Sequence, residues 1–254
     1  MTDHISKSQD GAVLELAFNR ADKKNAITDA MYAVLADSLN AADADDSVRA
    51  VILTGNGDAF TSGNDLMDFA AVNASGKALS EQNVTRFLYA MADFSKPLIM
   101  AVNGLAVGIG TTMCLHADLV FVTAEASFTT PFVNLAVVPE AASSMLMPRT
   151  IGHRRAYAMF ALGETVSADD AVAWGIANKL VPADALMEAA RAAASKLAAK
   201  APMSLKLTKQ LMRGTPEELK ATMDRENTHF GAQLVSAEAG EAFMAFAQKR
   251  PPKF

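Results

Sequence analysis

Lys96–Gly110 reads KPLIMAVNGLAVGIG, and the run from Pro97 to Leu115 carries no formal charge. Its length approaches the ~20 residues that a membrane-spanning helix needs. Pro97, Asn103, Gly104, Gly108, Gly110, Thr111 and Thr112 interrupt it, however. A buried strand over Leu98–Val102, a glycine-rich turn and a buried helix entered near Thr111 account for it better. Small residues let a backbone approach a ligand, and a helix start offers unpaired N–H groups at a positive dipole end. Close helix packing in the core explains the same residues equally well.

Outward from this stretch, strands and helices alternate. Residues 12–18 and 49–53 read as strands, the second closed by the turn Gly55-Asn56-Gly57. Between them, Thr28–Ala42 carries Met31, Leu35 and Leu39 at helical spacing, with Thr28 as N-cap. Leu119–Val122 and Phe128–Phe132 are further strands, giving an α/β class with a layered core. After Pro139 the pattern turns helical, over Arg154–Leu162, Ala168–Trp174, Ala183–Ala199, Met203–Arg213 and Pro216–Val235. Ser167-Ala-Asp-Asp170 resembles a capping box. Thr215-Pro216-Glu217-Glu218 supplies a cap, a first-turn proline and a Glu three residues after the cap. No linker or fixed-period repeat divides the chain, so the helical third extends one structural unit.

The 254 residues, 51% apolar and 20% charged, provide a core for one large domain and exclude a disordered chain. A formal charge of -5 argues against nucleic acid or an anionic membrane as whole-surface partners. Cys114 is the single cysteine, which fits a reducing compartment and leaves no internal disulfide. Met1–Gly11 has no apolar signal core, so a soluble, cytoplasmic protein is expected. His4, His116, His153 and His229 are scattered without HExxH, and no metal site is expected. Neither a GxSxG elbow nor a GxxxxGK[ST] loop occurs. Arg191, Lys196, Lys200, Lys206, Lys209 and Arg213 lie in a segment without an acidic residue. They read as a solvated helix face, with the phosphates of a bulky substrate as the alternative partner.

Three motifs are ambiguous when taken alone. VILTGNGDAF (Val51–Phe60) begins like a dinucleotide fingerprint, but Phe60 stands in place of the third glycine, and a tight turn is favoured. In AFTSGNDL (Ala59–Leu66), Gly63 suits a bent backbone that exposes an N–H, although an ordinary loop explains it too. In LAVVPEAASS (Leu135–Ser144), Glu140 sits among apolar residues, where desolvation would raise its pKa towards that of a proton carrier. A surface Glu near a helix N-terminus is the plainer reading.

Taken in order, the motifs resemble the crotonase, or enoyl-CoA hydratase/isomerase, superfamily from about Val13 to Arg250. They are NRADKKNAI (Asn19–Ile27), TGNGDAFTSGNDL (Thr54–Leu66), KPLIMAVNGLAVGIG, ADLVFVTAEASFTTPF (Ala117–Phe132) and the block Leu162–Pro182. The resemblance implies a crotonase-like ββα spiral over residues 1–200 and a helical C-terminal region, 201–254, that belongs to the same unit and drives trimerisation. It also implies an acyl-CoA thioester substrate in a homotrimer or dimer of trimers, with coenzyme A entering as part of the substrate and no separate cofactor. Two backbone N–H groups, which fall on Asn64 and Ile109, would stabilise a thioester enolate. Ile109 stands where many members have glycine, which narrows the hole without removing its donor.

The branch is decided by carboxylates. The two hydratase glutamates fall on Thr112 and Phe132, neither of which can take a proton from water. SGNDL, AVNGLAVGI, TTPFVNL and VPEAASS resemble instead the Δ3,Δ2-enoyl-CoA isomerase branch, whose single catalytic base maps to Glu140. Ala141 replaces the glycine common after that Glu. The Lys23-Lys24-Asn25-Ala26 loop resembles the segment that contacts CoA, and Gly63, Asn64, Asp65 and Leu66 would line the same groove. Leu66, Met67, Phe69 and Phe132 would form part of the acyl pocket. A hydratase, another crotonase reaction, and a non-catalytic protein binding RNA or a partner through 191–213 are the competing expectations.

Overall fold

The computed structural model describes residues 2–68 and 78–254. An edge hairpin of β1 (Ile5–Asp10) and β2 (Val13–Phe18) opens it. Next come α1 (Asp29–Ala44), β3 (Ala50–Gly55) and β4 (Ala59–Thr61). The same order recurs in α2 (Asn83–Asp93), β5 (Leu98–Val102) and β6 (Leu105–Val107). It recurs again in the short α3 (Ile109–Thr112), β7 (Leu119–Val122) and β8 (Ser127–Thr129). Then follow α4 (Ser143–Ile151), α5 (His153–Tyr157), β9 (Val166–Ser167), α6 (Ala168–Trp174) and β10 (Lys179–Leu180). Four helices close the chain: α7 (Leu186–Ala198), α8 (Pro202–Arg213), α9 (Pro216–Leu234) and α10 (Ala237–Ala247).

Each ββα turn sends one strand to each of two sheets. The larger has the order β1-β2-β3-β5-β7-β10 and is parallel from β2 onward; the smaller is β4-β6-β8-β9, parallel except at β8–β9. This is the α/β spiral of ββα turns that the resemblance implied. The larger sheet is covered on both faces, which is why its central strands read as unbroken apolar runs. Val51, Leu53, Leu98, Met100 and Val102 face the main core with α1 and α2. Their neighbours Ala50, Ile52, Ile99 and Ala101 face Leu186, Ala190 and Ala194 of α7, where small residues let the helix lie close to the sheet.

Local signals act where the sequence placed them. Thr28 accepts the Met31 N–H at the start of α1, Ser167 accepts the Asp170 N–H at α6, and Thr215 with Glu218 forms a complete capping box at α9. Some elements depart from expectation. The strand expected over Phe128–Phe132 ends at Thr129, because Pro131 has no N–H for a ladder and Phe132 turns back to the Thr130 carbonyl. The helix expected over Arg154–Leu162 widens into a π turn at Ala158–Leu162 before stopping at Gly163. β1, α2, α4, α10 and the short strands β4, β6, β9 and β10 lie outside the expected elements. Among the described residues, no helix is long and apolar enough to cross a membrane.

Candidate active site

The parallel pairing of β4, β6 and β8 brings the ends of three successive spiral turns to one edge of the smaller sheet. Ser62–Asn64, Gly108–Ile109 and Pro131–Phe132 emerge there side by side and line a cavity of about 400 Å³. Leu66, Leu135 and Val137 add to its wall, Phe230 and Leu234 come from α9, and Phe243 and Phe246 from α10. Glu140 is the carboxylate that lines it without a charged partner, since Arg250 at the rim is paired in two hydrogen bonds with Glu241.

Two backbone N–H groups face this space unused. The bridge between Ile27 and Asn64 is made by flanking groups: Ile27 N–H donates to Gly63 O (2.8 Å) and Asp65 N–H to Ile27 O (2.9 Å). Alternation along an extended chain then turns the Asn64 N–H to the opposite side. Gly63 makes that bend with φ +86, and a Cβ there would stand 2.7 Å from Val107 O, so only glycine fits. At the second donor, Gly108 (φ 57, ψ -118) opens α3 and its carbonyl takes the N–H groups of Thr111 and Thr112. Ile109 N–H is thus left at the head of the helix, without an intrahelical acceptor. Among the described residues neither Asn64 N–H nor Ile109 N–H has an acceptor. The Asn64 side chain is held away from the cavity, its Oδ1 accepting from the buried Tyr32 hydroxyl at 2.5 Å. Burial, then the charge of Glu140, raises the Tyr32 pKa well above its ordinary value, so the phenol stays a donor.

Glu140 reaches solvent only in part, through the cavity, and the protein around its carboxyl group pushes its pKa up to about 8. The Thr112 hydroxyl, donating to Oε1 at 2.5 Å, opposes that shift, and the charge of Glu226 reinforces it. Thr112, where the resemblance would put one of the hydratase glutamates, serves the Glu140 carboxylate as a donor. Phe132, at the other, is an apolar wall packed against Phe160.

The chain behind Glu140 is strained and held from two sides. Ala141 (φ 59) and Ala142 (φ 56) are both left-handed, which costs roughly 1–2 kcal/mol for each. Glu226 of α9 accepts the Ala142 N–H at 2.6 Å and the Ser144 N–H at 2.9 Å. From the other side His116 Nε2 meets Ala141 O at 2.7 Å. Arg213 donates to His116 Nδ1, which leaves the ring proton on Nε2 for Ala141. Burial, then the Arg213 charge, lowers the His116 pKa to about 3, so this imidazole is neutral. Its neighbour Cys114 is a buried thiol directed at Gly110 O, with a pKa raised by burial.

Of the residues singled out from the sequence, Glu140, Asn64, Ile109, Gly63, Leu66 and Phe132 meet at the cavity. Lys24, Asn25, Ala26 and Asp65 do not line it. Asn25 is fully buried, and its amide bonds Asn56 O, Ala59 O and Arg20 N–H, pinning the 20–27 loop. Lys24 pairs with Asp58 at the surface, while its carbonyl accepts the Ser62 N–H, so the loop borders the cavity mouth. Ala26 O is held by Arg20. Asp65 pairs with Arg20 at 2.6 Å and accepts the N–H groups of Met67 and Asp68, and its pKa is lowered chiefly by that arginine. Met67 is 83% exposed and turned away from the pocket, and Phe69 lies outside the described residues.

The basic run is not one solvated face. Arg191 pairs with Glu15, Lys209 is inserted between Asp118 and Lys96 O, and Arg213 is turned inward to His116 and Met91 O. Sequence reasoning missed Tyr32, His116 as a support, and Glu226. The available signal for Glu226 was an acidic residue on the helix face that carries Leu219, Met223 and Phe230. Among the described residues no group of three His, Cys, Asp or Glu side chains could hold a metal ion.

A family model described as Enoyl-CoA hydratase/isomerase matches residues 8–254. The chain is 33% identical to 1,2-epoxyphenylacetyl-CoA isomerase of Escherichia coli (strain K12), over 100% of this chain and 99% of that protein. It is 34% identical to enoyl-CoA delta isomerase 2 of Rattus norvegicus over 97% of this chain, and spans 64% of that protein's length. The solved structure of an enoyl-CoA hydratase/isomerase from Pseudoalteromonas atlantica T6c is similar at a TM-score of 0.93 and 40% identity, over 99% of this chain and 100% of that one.

Proposed function

Because the chain belongs to the enoyl-CoA hydratase/isomerase (crotonase) family, we propose that it moves the double bond of a 3-enoyl-CoA to the 2-position with Glu140 as sole proton carrier. The observation that carries this reading is one carboxyl without a charged partner, with its pKa pushed up to about 8, in an apolar cavity with two free backbone donors. Ionised Glu140 takes the proton from C2. The electron pair of that C–H bond forms the C1–C2 π bond of a dienolate, and the carbonyl π pair moves onto the thioester oxygen as negative charge. Asn64 N–H and Ile109 N–H stabilise that charge, at about 3 kcal/mol per donor. The oxygen pair then re-forms the thioester carbonyl, the C1–C2 π pair moves to C2–C3, and the C3–C4 π pair takes the same proton from Glu140 at C4, leaving a C2–C3 double bond and an ionised Glu140. One carboxylate on one face serves both carbons. Hydration needs a second acid or base to position water. Glu226 is the other carboxylate whose charge acts on Glu140, but both its oxygens are occupied by backbone N–H groups.

The fit extends beyond the reacting atoms. Phe132, Phe230 and Leu234 suit an apolar acyl chain, as in the breakdown of unsaturated fatty acids. The Lys24–Ala26 loop at the mouth suits the CoA portion. Met203, Leu207 and Leu211 form an exposed apolar stripe at helical spacing on α8, which suits assembly as a homotrimer or dimer of trimers. In this reading residues 1–200 are the catalytic core and 201–254 its helical extension. The test is product analysis with a 3-enoyl-CoA and a 2-enoyl-CoA, using wild type and Glu140→Gln. Conjugated 2-enoyl-CoA should form from the first substrate, with turnover down at least ~100-fold in the variant and CoA-ester binding retained. Formation of 3-hydroxyacyl-CoA from the second would replace isomerisation with hydration.

A further inference from the structure

We propose that Glu226 is a positioning residue for the reaction: it holds the strained Ala141–Ala142 turn so that the Glu140 carboxyl faces the cavity. The proposal rests on Glu140 being the proton carrier. Ala142 is the N-cap of α4, and it has no side-chain acceptor to offer the first N–H groups of that helix. Glu226, 6% exposed and 84 residues further on, stands in for the missing cap with both carboxylate oxygens. Two consecutive left-handed alanines persist only where the surroundings over-determine them. Here His116 fixes the carbonyl of the first and Glu226 the N–H of the second. One and two turns beyond Glu226, Phe230 and Leu234 line the cavity. A single helix therefore fixes both the apolar wall and the direction of the base.

Burial raises the Glu226 pKa, and the N–H groups of Ser144 and Ala142 on its two oxygens oppose that shift and favour the ionised form. The negative charge of Glu226 then also opposes ionisation of Glu140 and makes Glu140 the stronger base. The other titratable groups around the pair are Arg225 beside Glu226, the buried Tyr32 that feels the Glu140 charge, and His116 with Arg213 beneath Ala141. Asp224 and Lys220, on the same helix, are engaged with Tyr89 and Asp93 of α2. Glu226→Gln keeps the shape, removes the charge and turns an amide donor towards one of the two N–H groups.

The test is a side-chain carbon NMR titration of glutamate-labelled protein, with Glu140→Gln to assign the resonance, together with amide exchange and turnover of a 3-enoyl-CoA. In Glu226→Gln the Glu140 titration should move down by about one pH unit. Ser144 N–H should exchange about 10-fold faster, and kcat should fall about 10-fold with KM unchanged. Adding Ala141→Gly, which relaxes the turn, should restore part of kcat. An unchanged Glu140 titration and unchanged amide exchange in folded Glu226→Gln overturn the proposal, whatever the turnover. Shifts in both, with a wild type that leaves 3-enoyl-CoA untouched, keep the positioning role and overturn the isomerase reading. Should Glu226→Gln not fold, Glu226→Asp retains the charge but not the reach. It should keep the Glu140 titration and lose amide protection, and wild-type exchange there also overturns the proposal.

Discussion

The two halves of the proposed site, donors and base, are built by different means. The donor half, Asn64 and Ile109, is backbone at the ends of β4 and β6, whose parallel pairing lies in the smaller sheet of the spiral. The base half, Glu140, hangs on a loop with two left-handed alanines, fixed by side chains from α3's extension at His116 and from distant α9. The first half tolerates changes of side chain, since Ile109 supplies only an N–H. The second depends on particular side chains far apart in sequence. A backbone donor is broken by altering main-chain conformation, and a hung carboxylate by altering its supports.

Gly63→Ala should break the donor half most severely. The new methyl meets Val107 O at 2.7 Å with φ at +86, so the chain must shift where the Asn64 N–H is aimed. Loss of one such donor lowers kcat by about 10²–10³-fold, with CoA-ester binding measured in parallel and retained. If kcat survives in a folded Gly63→Ala, the donor is not Asn64 N–H. Tyr32→Phe is a smaller blow to the same half. It leaves Asn64 Oδ1 without its donor, and a sub-ångström drift of the adjacent N–H should lower kcat about tenfold at constant KM. Equal loss in kcat and binding would make Tyr32 a packing residue.

The same contrast explains how much could be read from the chain. β3, β5, α1 and the capped starts of α6 and α9 follow from apolar runs, helical spacing and local caps, all short-range signals. β1 was invisible because only Ile5 of its six residues is buried, so it has no apolar alternation to read. α10 buries three alanines, which mark a stripe only weakly. The proposed donor positions were legible only as what the ordered family motifs imply. Glu140 alone read as a surface glutamate, because what buries it arrives from Thr112, α9 and α10, and the rest of the chain gives no local sign of that. The basic run misled for the same reason: Lys209 and Arg213 are turned inward by partners around a hundred residues away.

The smallest effect expected is one of stability, and it separates the halves most directly. Unused N–H groups carry no titratable charge, so the donor half adds no pH dependence to folding. Glu140 does, with a sign fixed by its raised pKa. An unfolded glutamate ionises near ~4.3, whereas the folded protein holds this proton up to about 8. Below the lower value both states are protonated and the residue is neutral in its effect. Between the two values the unfolded chain is increasingly ionised while the folded one is not, so Glu140 destabilises the fold progressively, and above pH 8 the burden levels off. Glutamine keeps the hydrogen bond with Thr112 and cannot ionise. Glu140→Gln should therefore melt like wild type at pH 4 and above it at pH 8, by an amount on the order of 1–4 kcal/mol. Thermal unfolding across that range checks it. A constant difference at all pH values would mean that the carboxyl is well solvated through the cavity, leaving its reactivity to come from the donors alone.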